Sequence, residues 1–189
     1  MHVTSIRILA ISGSLRARSL NSALLRAARR LAPEPATITT YTEVGRLPLF
    51  NPDLEDSAPP VVRRLWDAVA AADGLLIASP EYAHGVTGAM KNVLDWLVGL
   101  PAFYGKPVAV LNASPRARHA DAALRETLRT MSATIVEEAS IAIPILGSGL
   151  DEQGMVASPE VAAALRVVVQ SLCRRAATAG SEAVAFGSA

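Results

Sequence analysis

Between Arg7 and Leu31 an apolar run, Ile8-Leu-Ala-Ile11, passes through the turn Ser12-Gly-Ser-Leu-Arg-Ala-Arg-Ser19 into a helix-period pattern that places Leu20, Leu24, Leu25, Ala28 and Leu31 on one face. A strand followed directly by an amphipathic helix buries both apolar faces only by packing back on a sheet, so the segment reads as the start of a β-α-β unit. The alternation continues along the chain. Strand-length apolar runs recur at Arg7–Ser12, Thr37–Tyr41, Gly74–Ser79, Lys106–Ala113 and around Ala139–Ile143. Helical patterns fall between and after them, from Pro59, across Met90 to Leu97, over Asp121–Met131 and over Pro159–Ala177.

This order predicts an α/β fold, a doubly wound five-stranded parallel sheet in the flavodoxin-like order 2-1-3-4-5. In such sheets ligands bind beyond the carboxyl ends of the strands, where the strand order reverses. Strand 1 then ends at the turn Ser12–Asn21, strand 3 at Ser79-Pro-Glu-Tyr-Ala-His-Gly85 and strand 4 at Asn112-Ala-Ser-Pro-Arg116, so three loops converge on one edge.

The first of these loops has the chemistry of an anion cradle. A helix N-terminus carries unpaired N–H groups and about half a positive charge. Arg16 adds a planar fork suited to phosphate, and Ser14, Ser19 and Asn21 add neutral donors. Spacing excludes the common nucleotide fingerprints, because Gly13 stands alone where G-x-G-x-x-G or G-x-x-x-x-G-K-[ST] needs further glycines or a lysine. One glycine among hydroxyls suits a single phosphate monoester better than a whole pyrophosphate, and FMN carries such a group.

Composition limits the alternatives. The chain has 189 residues, 51% of them apolar, which is enough for one well-cored domain, here placed at 1–177 with 178–189 as a disordered tail lacking helical periodicity. A net charge of +1 provides no basic stripe for nucleic acid, and Arg63-Arg64 and Arg174-Arg175 read as solvated helix faces. The single cysteine, Cys173, has no disulfide partner and sits in an apolar stretch, consistent with a reducing compartment. The first apolar run, Ile6 to Ile11, is interrupted by Arg7 and too short for a signal h-region or a membrane span, so a soluble, cytoplasmic protein is expected.

Two motifs are similar to those of the NADPH-dependent FMN reductase family, whose members include flavin, quinone, azo-dye and chromate reductases. Gly13-Ser-Leu-Arg16 with Ser19 and Asn21 resembles the family's G-S-L-R-x-x-S-x-N loop. Ser79-Pro-Glu-Tyr82 with Gly88-Ala-Met-Lys-Asn-Val-Leu-Asp-Trp96 resembles its S-P-E-Y-N and G-x-L-K-N-x-I-D-W segment, and Leu47-Pro-Leu-Phe-Asn-Pro-Asp53 resembles a further family loop. The resemblance implies that Ser14, Arg16, Ser19, Leu20 and Asn21 hold the FMN phosphate. It implies that Pro80, Glu81, Tyr82, Ala83 and His84 border the isoalloxazine ring, largely through backbone groups, and that Ser114, Pro115 and Arg116 meet the flavin edge. It further implies NADPH or NADH as electron donor, ping-pong transfer to a quinone, flavin, azo compound or metal oxyanion, and a homodimer or homotetramer. Two departures stand out. Ala83 occupies a position where the family has Asn, and Ser114-Pro-Arg-Ala-Arg-His119 replaces a glycine-rich loop.

Individual residues divide between functional and plain readings. Arg116 and Arg118 are either contacts for the 2′-phosphate of NADPH or solvated loop charges; His84 either orders the flavin or is an idle loop residue. His119 reads as the start of the fourth helix, Lys91 and Asp95 as a surface pair one turn apart, and Met90 and Trp96 as packing. No paired carboxylates, Ser-His-Asp set or metal-ligand spacing occurs, so no catalytic acid, base, nucleophile or metal site is assigned. Hydride transfer to a flavin requires none. The alternative reading is a non-enzymatic flavodoxin-type electron carrier, disfavoured by the near-neutral charge and by Arg16 in the phosphate loop; a phosphohydrolase lacks a metal-binding carboxylate set or a cysteine nucleophile in the turn.

Overall fold

The computed structural model describes residues 5–186. In chain order the elements are β1 (Arg7–Ser12), α1 (Leu20–Arg30), β2 (Thr37–Tyr41), α2 (Pro60–Ala71), β3 (Gly74–Ala78), β4 (Glu81–Tyr82), β5 (Gly85–Val86), α3 (Gly88–Leu97), β6 (Pro107–Leu111), α4 (Arg118–Thr130), β7 (Thr134–Ile135), α5 (Glu152–Ala157) and α6 (Pro159–Phe186), with short 3-10 turns between. Five strands pair in the order β2-β1-β3-β6-β7, all parallel, as the alternating pattern predicts.

The pleat divides the core between the two faces of the sheet. Ile8, Ala10, Leu76, Ala78, Ala109 and Leu111 face α1 and α6, where Leu24, Leu25, Leu165 and Val169 meet them. Their neighbours Leu9, Ile11, Leu75, Ile77, Val108 and Val110 face Val62 and Leu65 of α2, Val93 and Leu94 of α3, and Leu124 and Leu128 of α4. Strands buried on both faces carry continuous apolar runs, the signal from which they were legible.

Three expectations need correction. The fifth strand lies at Thr134–Ile135, where Val108 pairs with Ile135, and not at Ala139–Ile143. A 3-10 turn at Glu137–Ala139 interrupts this edge, the Ser140 hydroxyl replaces a strand carbonyl as acceptor for Val110 N (3.0 Å), and a single bridge from Asn112 to Ala142 resumes the ladder. Pairing runs on both sides of the interruption, and the apolar stretch that announced a strand belongs to its second piece. The fourth helix begins at Arg118, three residues earlier than the periodicity predicts. The last helix continues beyond Ala177 to Phe186; alanines at 177 and 179 favour it, and Gly180 costs only about 1 kcal/mol. Residues 187–189 of the expected tail lie outside the described residues.

Sequence reading also missed a two-stranded hairpin, β4-β5, directly after β3. Tyr82 pairs with Gly85, so the turn is Ala83-His84, and both residues have positive φ, 49° and 60°. Such two-residue turns favour Asn or Gly, which makes Ala83 an unfavourable occupant of its own position.

Candidate active site

The loop after β1 folds back on the sheet because Gly13 lets it. Gly13 N donates to Ala78 O (2.8 Å), and a Cβ at this position would collide with the Ser79 side chain and come within 3.0 Å of Met90 Cβ. Thr87, buried at the start of α3, donates from its hydroxyl to Gly13 O (2.7 Å) while accepting from Met90 N (3.2 Å). One threonine therefore caps α3 and anchors the loop. Sequence reading missed it, although Thr immediately before a helix-period pattern is an N-cap signal.

The loop ends on the N-terminus of α1, where Ser19 is the cap and its Oγ accepts from Ser22 N (3.3 Å). The side-chain oxygens here each accept one backbone N–H, and their donor hydrogens are free. Ser14 Oγ accepts from Arg16 N (3.4 Å), and Asn21 Oδ1 accepts from Ala113 N (3.4 Å). Among the described residues the Ser14 and Ser19 hydroxyl hydrogens, the Asn21 amide N–H groups and the backbone N–H groups of Leu20 and Asn21 have no acceptor, and the Arg16 and Arg18 guanidinium groups have no carboxylate partner. A cluster of free donors at a helix N-terminus, flanked by two unpaired guanidinium groups, fits a phosphate dianion.

Beside this cradle opens a cavity of about 330 Å³ at the carboxyl ends of β1, β3 and β6, where the sheet order reverses. Of the residues expected from the sequence, Ser14, Arg16, Ser19, Leu20, Asn21, Pro80, Glu81, Tyr82, Ser114 and Arg116 line it together. Ala83, His84 and Pro115 do not; the first two form the hairpin tip and Pro115 lies within the loop behind the lining. Arg18, Asn112, Ala113, Ala117 and Leu146 complete the wall. Leu146 comes from the segment after the interrupted edge strand and carried no signal in the sequence, whereas Arg18 lies two residues from Arg16 and was open to the same argument.

Two side-chain devices hold the cavity's loops. Asn112 at the end of β6 accepts from Ser114 N (2.9 Å) and donates to Ala117 O (3.1 Å), which, with Pro115, makes this loop rigid where a glycine-rich one would be pliant. Glu81 Oε2 accepts from Ala120 N (2.8 Å), so the one carboxylate lining the cavity caps the positive end of α4. Against that one negative charge, Arg16, Arg18 and Arg116 leave the cavity lining net positive. The hairpin tip touches α4 as well: the His84 and His119 rings stack with centroids 4.5 Å apart.

The segment Leu47–Asp53 is fixed from α3. Asn92 accepts from Phe50 N (2.8 Å) and donates to Pro48 O (2.9 Å), and Trp96 Nε1 donates to the same carbonyl (2.8 Å) beneath an edge-to-face contact with Phe50. Lys91 and Asp95 pair one turn apart (2.5 Å) on the exposed side of the helix, and Met90 and Trp96 are buried, as expected.

The groups whose ionisation the fold displaces lie outside the cavity. Burial pushes the Tyr41 phenol up to about 12, and its O–H donates to Val61 O. Burial lowers Lys106, whose Nζ donates to Ala72 O, and raises the half-buried Cys173 thiol. Among the described residues no group of three His, Cys, Asp or Glu side chains is placed to hold a metal ion, and no helix is long and apolar enough to cross a membrane.

The sequence pattern of the NADPH-dependent FMN reductase family matches residues 6–146. An NAD(P)H-dependent FMN reductase of Pseudomonas aeruginosa is 34% identical over 173 residues, covering 88% of this chain and 93% of that protein. An NADPH:quinone oxidoreductase of Arabidopsis thaliana is 42% identical over 112 residues, 57% of each chain. Among solved structures, the flavoenzyme NAD(P)H:(acceptor) oxidoreductase of Paracoccus denitrificans superposes with a TM-score of 0.77 at 28% identity, over 92% of this chain and 98% of that one.

Proposed function

This chain belongs to the NADPH-dependent FMN reductase family, and from that premise we propose that its cavity holds FMN and serves electron transfer from NADPH or NADH to a quinone or similar small acceptor. The observation that carries the reading is the donor-rich cradle at the N-terminus of α1, joined to a cavity walled by Pro80 and Tyr82. Ser14, Ser19, Asn21 and the free N–H groups of α1 bind the phosphate, and Arg16 closes over it. Pro80 and Tyr82 give the ring an apolar wall, while backbone groups of the β3–β4 loop and of Ser114–Arg116 meet its polar edge. FMN, when bound, supplies a two-electron redox centre that accepts hydride from the nicotinamide and passes electrons to the acceptor. The chain's own residues hold the flavin face open for donor and acceptor in turn, which requires no side-chain acid or base.

Ala83 and His84 reach the ring only from the hairpin tip, and Arg116, without a carboxylate partner among the described residues, meets the 2′-phosphate of NADPH. A second copy would pack on the exposed Val98 and Tyr104, which rim one shallow depression beyond α3, giving a homodimer or homotetramer. The lone, half-buried Cys173 suits the cytoplasm.

The test is steady-state oxidation of NADPH and of NADH by the FMN-loaded protein with a water-soluble quinone. Turnover that depends on added FMN and gives parallel double-reciprocal lines supports the reading. Full flavin occupancy without turnover with either donor would favour an electron carrier and overturn it.

A further inference from the structure

The phosphate cradle is shared between two cavities. Arg18, Ser19 and Leu20 line the proposed flavin cavity on one side and a second cavity of about 960 Å³ on the other, between α1, α5 and the segment 145–153. We propose that this second cavity takes an adenosine monophosphate group continuing from the flavin phosphate, so that the protein binds FAD as well as FMN. The inference rests on the FMN reading above.

The position is the first argument. The end of FMN at the α1 N-terminus is its phosphate, and the space immediately beyond is this cavity, near the upper end of the range of about 300–1,000 Å³ typical of small-molecule sites. Charge is the second. The α1 turn, suited to one phosphate, takes the flavin's own beside Arg16; Arg18, free of any carboxylate among the described residues and facing both cavities, stands outside the turn where a second, linked phosphate would lie. The carboxylates of this wall are already committed, since Glu152 pairs with Arg26 (2.6 Å) and Arg30 (3.8 Å), and Asp151 Oδ1 accepts from Gly154 N (2.8 Å). Surface is the third. Leu20 and Leu150 offer apolar contact to a flat base, and Gly147 and Gly149, at φ of 86° and 73°, leave two positions of the facing wall without side chains. The adenosine of NAD(P)H is a poorer fit, because its nicotinamide must reach the ring wall at Pro80 and Tyr82, away from this side of the cradle.

The experiment titrates apoprotein with FMN and with FAD by flavin fluorescence, for the wild type, Gln153→Trp and Arg18→Gln. Gln153 is exposed on α5 and lines only the second cavity, so the indole fills that cavity without touching the first; thermal melts verify folding. The expected result is FAD affinity within about tenfold of FMN in the wild type, weakened about tenfold or more by Gln153→Trp with FMN unchanged. Arg18→Gln, a second and independent variant, should weaken FAD more than FMN. FAD binding about a hundredfold weaker than FMN in the wild type, or equal effects of both variants on the two flavins, would overturn the proposal. A rise in the KM for NADPH in Gln153→Trp with FAD unaffected would assign the cavity to the donor's adenosine instead. Failure of FMN itself to bind would remove the underlying reading, and this inference with it.

Discussion

The Glu81 carboxylate accepts a hydrogen bond from Ala120 N at 2.8 Å and so ties the loop after β3 to the N-terminus of α4. Glu81→Ala leaves a helix end without its cap, which costs about 1 kcal/mol, and frees the loop that carries Pro80 and Tyr82. A lowered melting temperature and weaker FMN binding are expected together. Glu81→Gln retains the acceptor oxygen, so it should restore most of both; thermal melts and flavin titration of the two variants check this.

Gly13→Ala places a methyl group where the Ser79 side chain already sits. Overpacking of this kind costs about 1–3 kcal/mol, and here the displaced backbone is the cradle itself. FMN affinity should fall with stability. Gly13→Ala combined with Ser79→Gly removes the main collision and should recover part of the loss, measured by the same titration.

Trp96→Phe keeps a ring against Phe50 but deletes the donor to Pro48 O, a loss of about 1 kcal/mol for an unmade hydrogen bond. Asn92→Ala removes both of its bonds to Pro48 and Phe50 and should loosen Leu47–Asp53 further. Hydrogen exchange of the amides at 48–51 reports this directly, with Asn92→Ala exchanging faster than Trp96→Phe.

Glu43 is held below its ordinary pKa of 4.5, chiefly by the Arg64 hydrogen bond. A lowered carboxylate pKa contributes stability that is present above the unfolded value and is lost as pH falls through the folded one. Glu43→Gln should therefore melt below the wild type at neutral pH, and the gap should close as pH falls below 4.5. Melting curves across that window decide it.

Much of this architecture was legible because strands buried on both faces are continuous apolar runs, and α1, α2 and α3 have well-marked apolar faces. What stayed hidden depends on single side chains substituting for backbone. Ser140 supplies the acceptor that lets the edge strand break at Glu137–Ala139, and nothing in a stretch of mixed polarity announces that. The hairpin at Glu81–Val86 turns through Ala83-His84, the wrong residues for such a turn, so the usual signal is missing. At the site, the donors of the phosphate loop were readable from their chemistry and spacing. Glu81's cap on α4, Thr87's bond to Gly13 O and Leu146's place in the wall join segments distant in sequence, and only the fold brings them together.

Arg116 lines the cavity without a carboxylate partner among the described residues, whereas Arg118 Nε donates to Pro115 O (3.3 Å) within its own loop. Arg116→Ala should therefore lower the preference for NADPH over NADH, and Arg118→Ala should change it little. Ratios of kcat/KM for the two donors measure the difference.

The central claim is tested most directly by mixing the FMN-loaded protein anaerobically with excess NADPH, then NADH, and following the visible flavin absorbance. Bleaching by at least one donor at a rate no slower than turnover, with colour restored on adding a quinone, is the predicted result. Bound flavin that keeps its absorbance with both donors would contradict the account.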